Sequence, residues 1–132
     1  MPNKKTKSNR VIHFEVQADD MKRAMDFYKK TFGWQIKQMM TEDKGGMDYW
    51  GIVTGPAEDP GINGGMYMRT PDRKIYTYDC TILVEDIDKT MENIMKNGGE
   101  IRQPKTEIPD IGYFAGGIDT EGNTFAVMQA TG

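Results

Sequence analysis

The chain repeats itself at half its length. Shifting the 132 residues by 66 aligns "DMKRAMDFYKKTFG", residues 20–33, with "DIDKTMENIMKNGG", residues 86–99, each opening on aspartate and ending on glycine thirteen positions later. Met25 then falls on Met91, Asp26 on Glu92 and Arg23 on Lys89. A duplication of this kind requires a fold made of two equivalent units, so each half must be readable in the same order.

Each half is. "VIHFEV" alternates Ile12, Phe14 and Val16 with His13, Glu15 and Gln17, the period-2 pattern of a strand with one apolar and one polar face. A helix follows, with Asp20 as its cap, Met21, Ala24, Met25, Tyr28 and Phe32 at helical spacing, Lys29 and Lys30 in the last turn, and Gly33 at its end. "WQIKQMM", "MDYWGIV" and "INGGMYM" read as three short strands, the last two joined by the turn-rich "TGPAEDPG". After the polar linker "TPDRK", the second half runs through the strand "YTYDCTILV" to a helix capped by Asp86. That helix carries Ile87, Met91, Ile94 and Met95 on its apolar face and ends at Gly98 or Gly99. "GEIRQP", "GYFAGGI" and "NTFAVMQ" supply three more strands, separated by "KTEIPDI" and the "DTEGN" turn. The expected class is therefore α+β, with βαβββ modules over 11–69 and 75–130 in a single domain of 11–132 behind a flexible basic tail, 1–10.

Charge and composition narrow the partners. The net charge of −3 includes four positive residues in the tail, Lys4, Lys5, Lys7 and Arg10; removing them leaves −7 on the body. An acidic body argues against nucleic acid, whose phosphates require a basic face. No apolar run approaches the roughly 18 residues of a membrane span, and "MPNKKTKSNR" has no apolar signal core. Cys80 is the only cysteine, in keeping with a reducing compartment, and is expected as a small buried hydrophobe. The expected location is the cytoplasm.

Four segments, "HFEVQADDMKRAMDFYKKTFGW", "PGINGGMY", "VEDIDKTMENIMKNGGEI" and "IPDIGYFAGGIDTEGNTFAVMQ", resemble the vicinal oxygen chelate superfamily of glyoxalases, bleomycin-resistance proteins and extradiol dioxygenases. The "GINGG" segment is similar to a glyoxalase-related bacterial subgroup. The resemblance implies a cupped, incomplete eight-stranded barrel around a pocket, a small-molecule ligand and a homodimer. In metal-dependent members, side chains of the first and fourth strands of each module hold a divalent ion that acts as a Lewis acid.

Carried over residue by residue, the first-strand positions are His13 and Asp79, each seven before its helix cap. Aspartate stands there where histidine is more usual. The fourth-strand positions are Gly65 and Ala126, neither of which has a donor side chain. The expectation is a small-molecule-binding protein with a degenerate metal site and no cofactor. Its pocket is made of His13, Glu15, Asn63, Gly65, Tyr67, Asp79, Thr81 and Ala126. The alternative is a metal-dependent lyase, isomerase or dioxygenase whose divalent ion rests on His13, Asp79 and Glu15. Strand neighbours two apart stand about 6.5 to 7 Å from each other, an awkward span for one ion. The aromatic set Tyr49, Trp50, Tyr67, Tyr76, Tyr78, Tyr113 and Phe114 is expected around the cleft, mostly as core or rim. The glycines of "GINGGMY" make no phosphate loop, because no lysine follows at the required spacing and no helix starts there.

Overall fold

A computed structural model describes residues 9–44 and 47–131. The order of elements is β1 (Arg10–Ala18), α1 (Met21–Phe32), β2 (Gln35–Met40), a 3-10 turn (Glu42–Lys44), β3 (Tyr49–Val53), β4 (Asn63–Met68), β5 (Asp79–Leu83), α2 (Ile87–Lys96), β6 (Glu100–Ile108), β7 (Gly112–Ile118) and β8 (Thr124–Ala130). This is βαβββ twice, an α+β fold. The chain divides into two compact units, His13–Asp79 and the residues from Cys80 onward together with the start of β1. Most of the expected tail, residues 1–8, lies outside the described residues, whereas Arg10 already belongs to β1.

In the first unit the strands run β2-β3-β4-β1, with β1 and β4 parallel and the other pairs antiparallel. The apolar face implied by the alternation of β1 forms the core. Phe14, Val16 and Ala18 pack with Ile52 and Met66, and α1 covers them with Met21, Ala24, Met25 and Tyr28. Asp20 is the N-cap, its carboxylate accepting from the amide of Arg23 at 3.0 Å. Gly33 ends α1 in the left-handed region at φ 74°, where a side chain would be strained.

The second unit is built alike from β5-β8-β7-β6, around Val84, Ile87, Ala115 and Val127. Asp86 caps α2 by accepting from the amide of Lys89, also at 3.0 Å, and Met91 and Ile94 complete the core. Asn97 closes the helix, and Gly98 follows with φ 96°.

Three expectations are corrected. Phe32 and Met95 were placed on apolar helix faces, yet they are 60% and 54% exposed. Each is the last apolar residue of its helix, and Phe32 leans on Trp34, ring centroids 5.6 Å apart. β6 does not stop at Pro104 but continues to Ile108, absorbing the proline through irregularities in its pairing with β7. An edge strand tolerates proline because one side of it donates no ladder bonds. Cys80 is half-buried rather than buried.

Candidate functional site

Cross-strand registry shows how deep the duplication goes. In the first module Lys37 of β2, Gly51 of β3, Gly65 of β4 and Glu15 of β1 stand in one row across the sheet. In the second, Gln103, Gly116, Ala126 and Thr81 form the equivalent row. Small residues occupy the two central strands of both rows, and side chains from neighbouring positions lie across them. The guanidinium of Arg102 packs over Gly116.

In the first module the side chain lying across is Tyr49. A Cβ at Gly65 would fall 1.7 Å from the Tyr49 hydroxyl, so this glycine makes room for a tyrosine of the chain itself. The hydroxyl lies 3.0 and 3.1 Å from the two carboxylate oxygens of Glu15, to which it donates. His13 closes the triangle: its Nε2 is 3.1 Å from Glu15 Oε1 and 3.0 Å from the Tyr49 oxygen. Burial, followed by the charge of Glu15, pushes the Tyr49 phenol well above the ordinary tyrosine range, so it stays a neutral donor.

Beyond the triangle the polar face continues along β1. Gln17 is buried; its amide nitrogen donates to the Tyr67 hydroxyl at 3.1 Å, and its oxygen accepts from the amide of Ile75. The rings of Tyr49 and Tyr67 stack with centroids 6.5 Å apart. Burial raises the Tyr67 phenol too, opposed by the Gln17 hydrogen bond and reinforced by the charges of Glu15 and Asp79.

The expected site residues therefore separate. His13 and Glu15 meet, and Gly65 admits the group that joins them. Tyr67 is the next residue on the face, with buried Asp79 close enough to act on it through charge. Asn63 serves the end of β3, its side-chain oxygen accepting from the amide of Thr54 at 3.0 Å. Thr81 and Ala126 are cross-strand partners in the second module. The sequence places Tyr49 among the core or rim aromatics; its link to Gly65 rests on the pairing of Gly51 with Gly65 across β3 and β4, for which the sequence carries no signal. Trp50 and Tyr113 pack against the cores, and Tyr78 stacks on Phe14, while Tyr76 is exposed beneath the Arg69 guanidinium. A separate open depression of about 580 Å³, lined by Lys29, Trp34, Ile36, Lys37 and Met39 among others, does not include the triangle.

The residues facing Glu15 and Thr81 on the fourth strands, Gly65 and Ala126, bring no ligand atom. His13 Nε2 is already engaged by two oxygens, and among the described residues no three His, Cys, Asp or Glu side chains form a group able to hold an ion.

Comparison with known proteins agrees with the duplicated architecture. A family model described as the glyoxalase/bleomycin resistance protein/dioxygenase superfamily matches residues 10–127. A Mycobacterium bovis protein named as a glyoxylase, CFP32, is 24% identical over 116 residues, covering 88% of this chain and 44% of the relative, so the chain spans under half the length of that protein. A glyoxylase-like domain-containing protein of Didymella fabae is 28% identical, covering 89% of this chain and 91% of its own. Methylmalonyl-CoA epimerase from Mycobacterium tuberculosis shares the fold with a TM-score of 0.65 at 10% identity, over 92% of this chain and 88% of its own.

Proposed function

Because this chain belongs to the glyoxalase/bleomycin resistance protein/dioxygenase superfamily, we propose that it is a small-molecule-binding protein whose ancestral metal position has become a hydrogen-bonded polar floor. The observation that carries this reading is the Tyr49 hydroxyl seated over Gly65 and bonded to both His13 and Glu15. A side-chain donor at position 65 would occupy the space that the tyrosine fills, and the two residues best suited to bind an ion bind each other and Tyr49 instead. Asp79 and Tyr67 extend the floor, and the stacked tyrosine rings offer an apolar wall, the combination that small-ligand sites use.

The reading places the protein in the cytoplasm as a homodimer that binds neither nucleic acid nor membrane. The acidic body supports the exclusion of nucleic acid, and among the described residues no helix is long and apolar enough to cross a membrane. The rival reading, a lyase, isomerase or dioxygenase with a divalent ion on His13, Glu15 and Asp79, draws on the short His13–Glu15 distance.

Elemental analysis separates the two. Protein purified without a metal-affinity step, then incubated with zinc, iron, nickel or manganese and desalted, is expected to carry far less than one ion per chain. Stoichiometric metal that is removed by chelator and lost in His13→Ala would establish the enzyme reading instead. A thermal-shift screen with aromatic and dicarbonyl compounds is expected to find stabilising ligands, since binding to the folded state alone raises the melting temperature.

A further inference from the structure

Hydrogen atoms in the His13 triangle can be placed by counting donors. Tyr49 is neutral and has one proton, while a carboxylate only accepts. Both Glu15 oxygens lie within 3.1 Å of the Tyr49 oxygen, so the phenol proton belongs to Glu15. His13 Nε2 then faces two acceptor oxygens, at 3.1 and 3.0 Å. Without a hydrogen its lone pair would oppose theirs at contact distance. Giving the phenol proton to Nε2 instead would leave three oxygen and nitrogen approaches to Glu15 with no hydrogen in any of them. Nε2 therefore carries hydrogen, and in the neutral ring Nδ1 carries a bare lone pair. Among the described residues Nδ1 has no hydrogen-bond partner, and the side chain is 33% exposed.

We propose that His13 is the proton acceptor of this site, with Glu15 and Tyr49 as positioning residues that hold it in the Nε2–H tautomer and leave Nδ1 to a ligand bearing a weakly acidic O–H or C–H. This rests on the reading of the face as a ligand site. In the step, the ligand's O–H or C–H bond breaks and its electron pair stays on the ligand. The proton joins Nδ1 to make imidazolium, whose charge Glu15 balances through Nε2–H. Returning the proton to the ligand or to water restores the starting state, with no oxidant or reductant.

His13 is the only histidine of the chain, so one labelled residue reports the whole prediction. Protein grown with 15N-histidine and observed above the imidazole titration is expected to show Nε2 protonated and Nδ1 bare. Carboxymethylation with iodoacetate, in which the attacking nitrogen displaces iodide, is expected to favour Nδ1 over Nε2 by about tenfold or more, because Nε2 is held in charge-assisted hydrogen bonds. Glu15→Ala frees the Tyr49 proton for Nε2 and is expected to raise the Nδ1–H fraction; Tyr49→Phe leaves the Glu15 acceptor and is expected to keep Nε2–H. A wild-type spectrum with hydrogen on Nδ1, or alkylation mainly at Nε2, overturns the proposal whether or not the variants fold. These measurements need no ligand or metal, so their outcome is separate from that of the elemental analysis.

Discussion

Tyr49 joins the first and third strands of its module through a hydroxyl that donates to Glu15 and lies 3.0 Å from His13 Nε2. Tyr49→Phe should destabilise the protein by about 1–3 kcal/mol, the usual range for losing hydrogen bonds to a charged partner, measured by urea unfolding. Gly65→Ala inserts a methyl where the hydroxyl sits. The expected cost is again about 1–3 kcal/mol, as for overpacking elsewhere, together with a displaced His13 signal in the NMR spectrum. The alkaline limb of the pH profile should also report on these tyrosines. Tyr49 has its folded pKa raised above the unfolded value, by burial first, so its contribution is complete below about pH 10 and is lost as pH rises further. Tyr67 and Tyr78 are shifted the same way, again with burial as the first cause. Ultraviolet titration should therefore find a group of tyrosines that ionise late, and Tyr49→Phe should shrink it. His13 and Glu15 were legible as neighbours because strand parity puts i and i+2 on one face. Their link to Tyr49 was not, because it depends on the register of β3 against β4 and β4 against β1.

The two helices show how local chemistry sets an element's bounds. Asp20 and Asp86 have near-identical backbone angles, φ −134° and −136°, and each accepts from the amide three residues on. Replacing either by alanine should cost about 1 kcal/mol, with similar losses in the two variants, since both remove the same bond at an exposed helix end. The caps and the glycines were readable because they involve residues only three or four apart. The "DTEGN" turn belongs to the same group. Asp119 accepts from the amides of Glu121 and Asn123 and from the Asn123 side chain, and these bonds hold its carboxyl below the usual range. With a depressed folded pKa, this turn contributes stability above the unfolded value near pH 3.9 and loses it as pH falls through the folded one. Asp119→Asn should accordingly weaken the dependence of stability on pH in acid unfolding. The extent of β6 was harder to read, because proline signals a strand end unless the strand is known to lie at a sheet edge.

Taken as a whole, the molecule has a separate apolar core under each helix, and each is served by a side chain with no exposed surface, Met66 in the first unit and Ile87 in the second. Met66→Ala and Ile87→Ala should each cost about 2–5 kcal/mol, read from thermal or urea unfolding. Hydrogen exchange in each variant should lose protection first in the unit that holds the cavity. The apolar body of each module and the polar face of β1 come from one duplicated plan. The chemistry of the face diverged, with Glu15 opposite Gly65 in one copy and Thr81 opposite Ala126 in the other.

The duplicated order of elements, the helix caps, the buried face of β1 and the lack of donors at Gly65 and Ala126 all follow from residues close in sequence or from a pattern repeated at a fixed offset. Those are short-range or periodic properties, and a linear chain displays them directly. What Gly65 makes room for, which partner His13 takes and which of its nitrogens is left bare depend on Tyr49 lying across Gly65 and on atoms 34 and 36 residues apart along the chain being brought within about 3 Å, the distance at which hydrogen bonds act. Sheet register sets those distances, and no local pattern in the sequence encodes it.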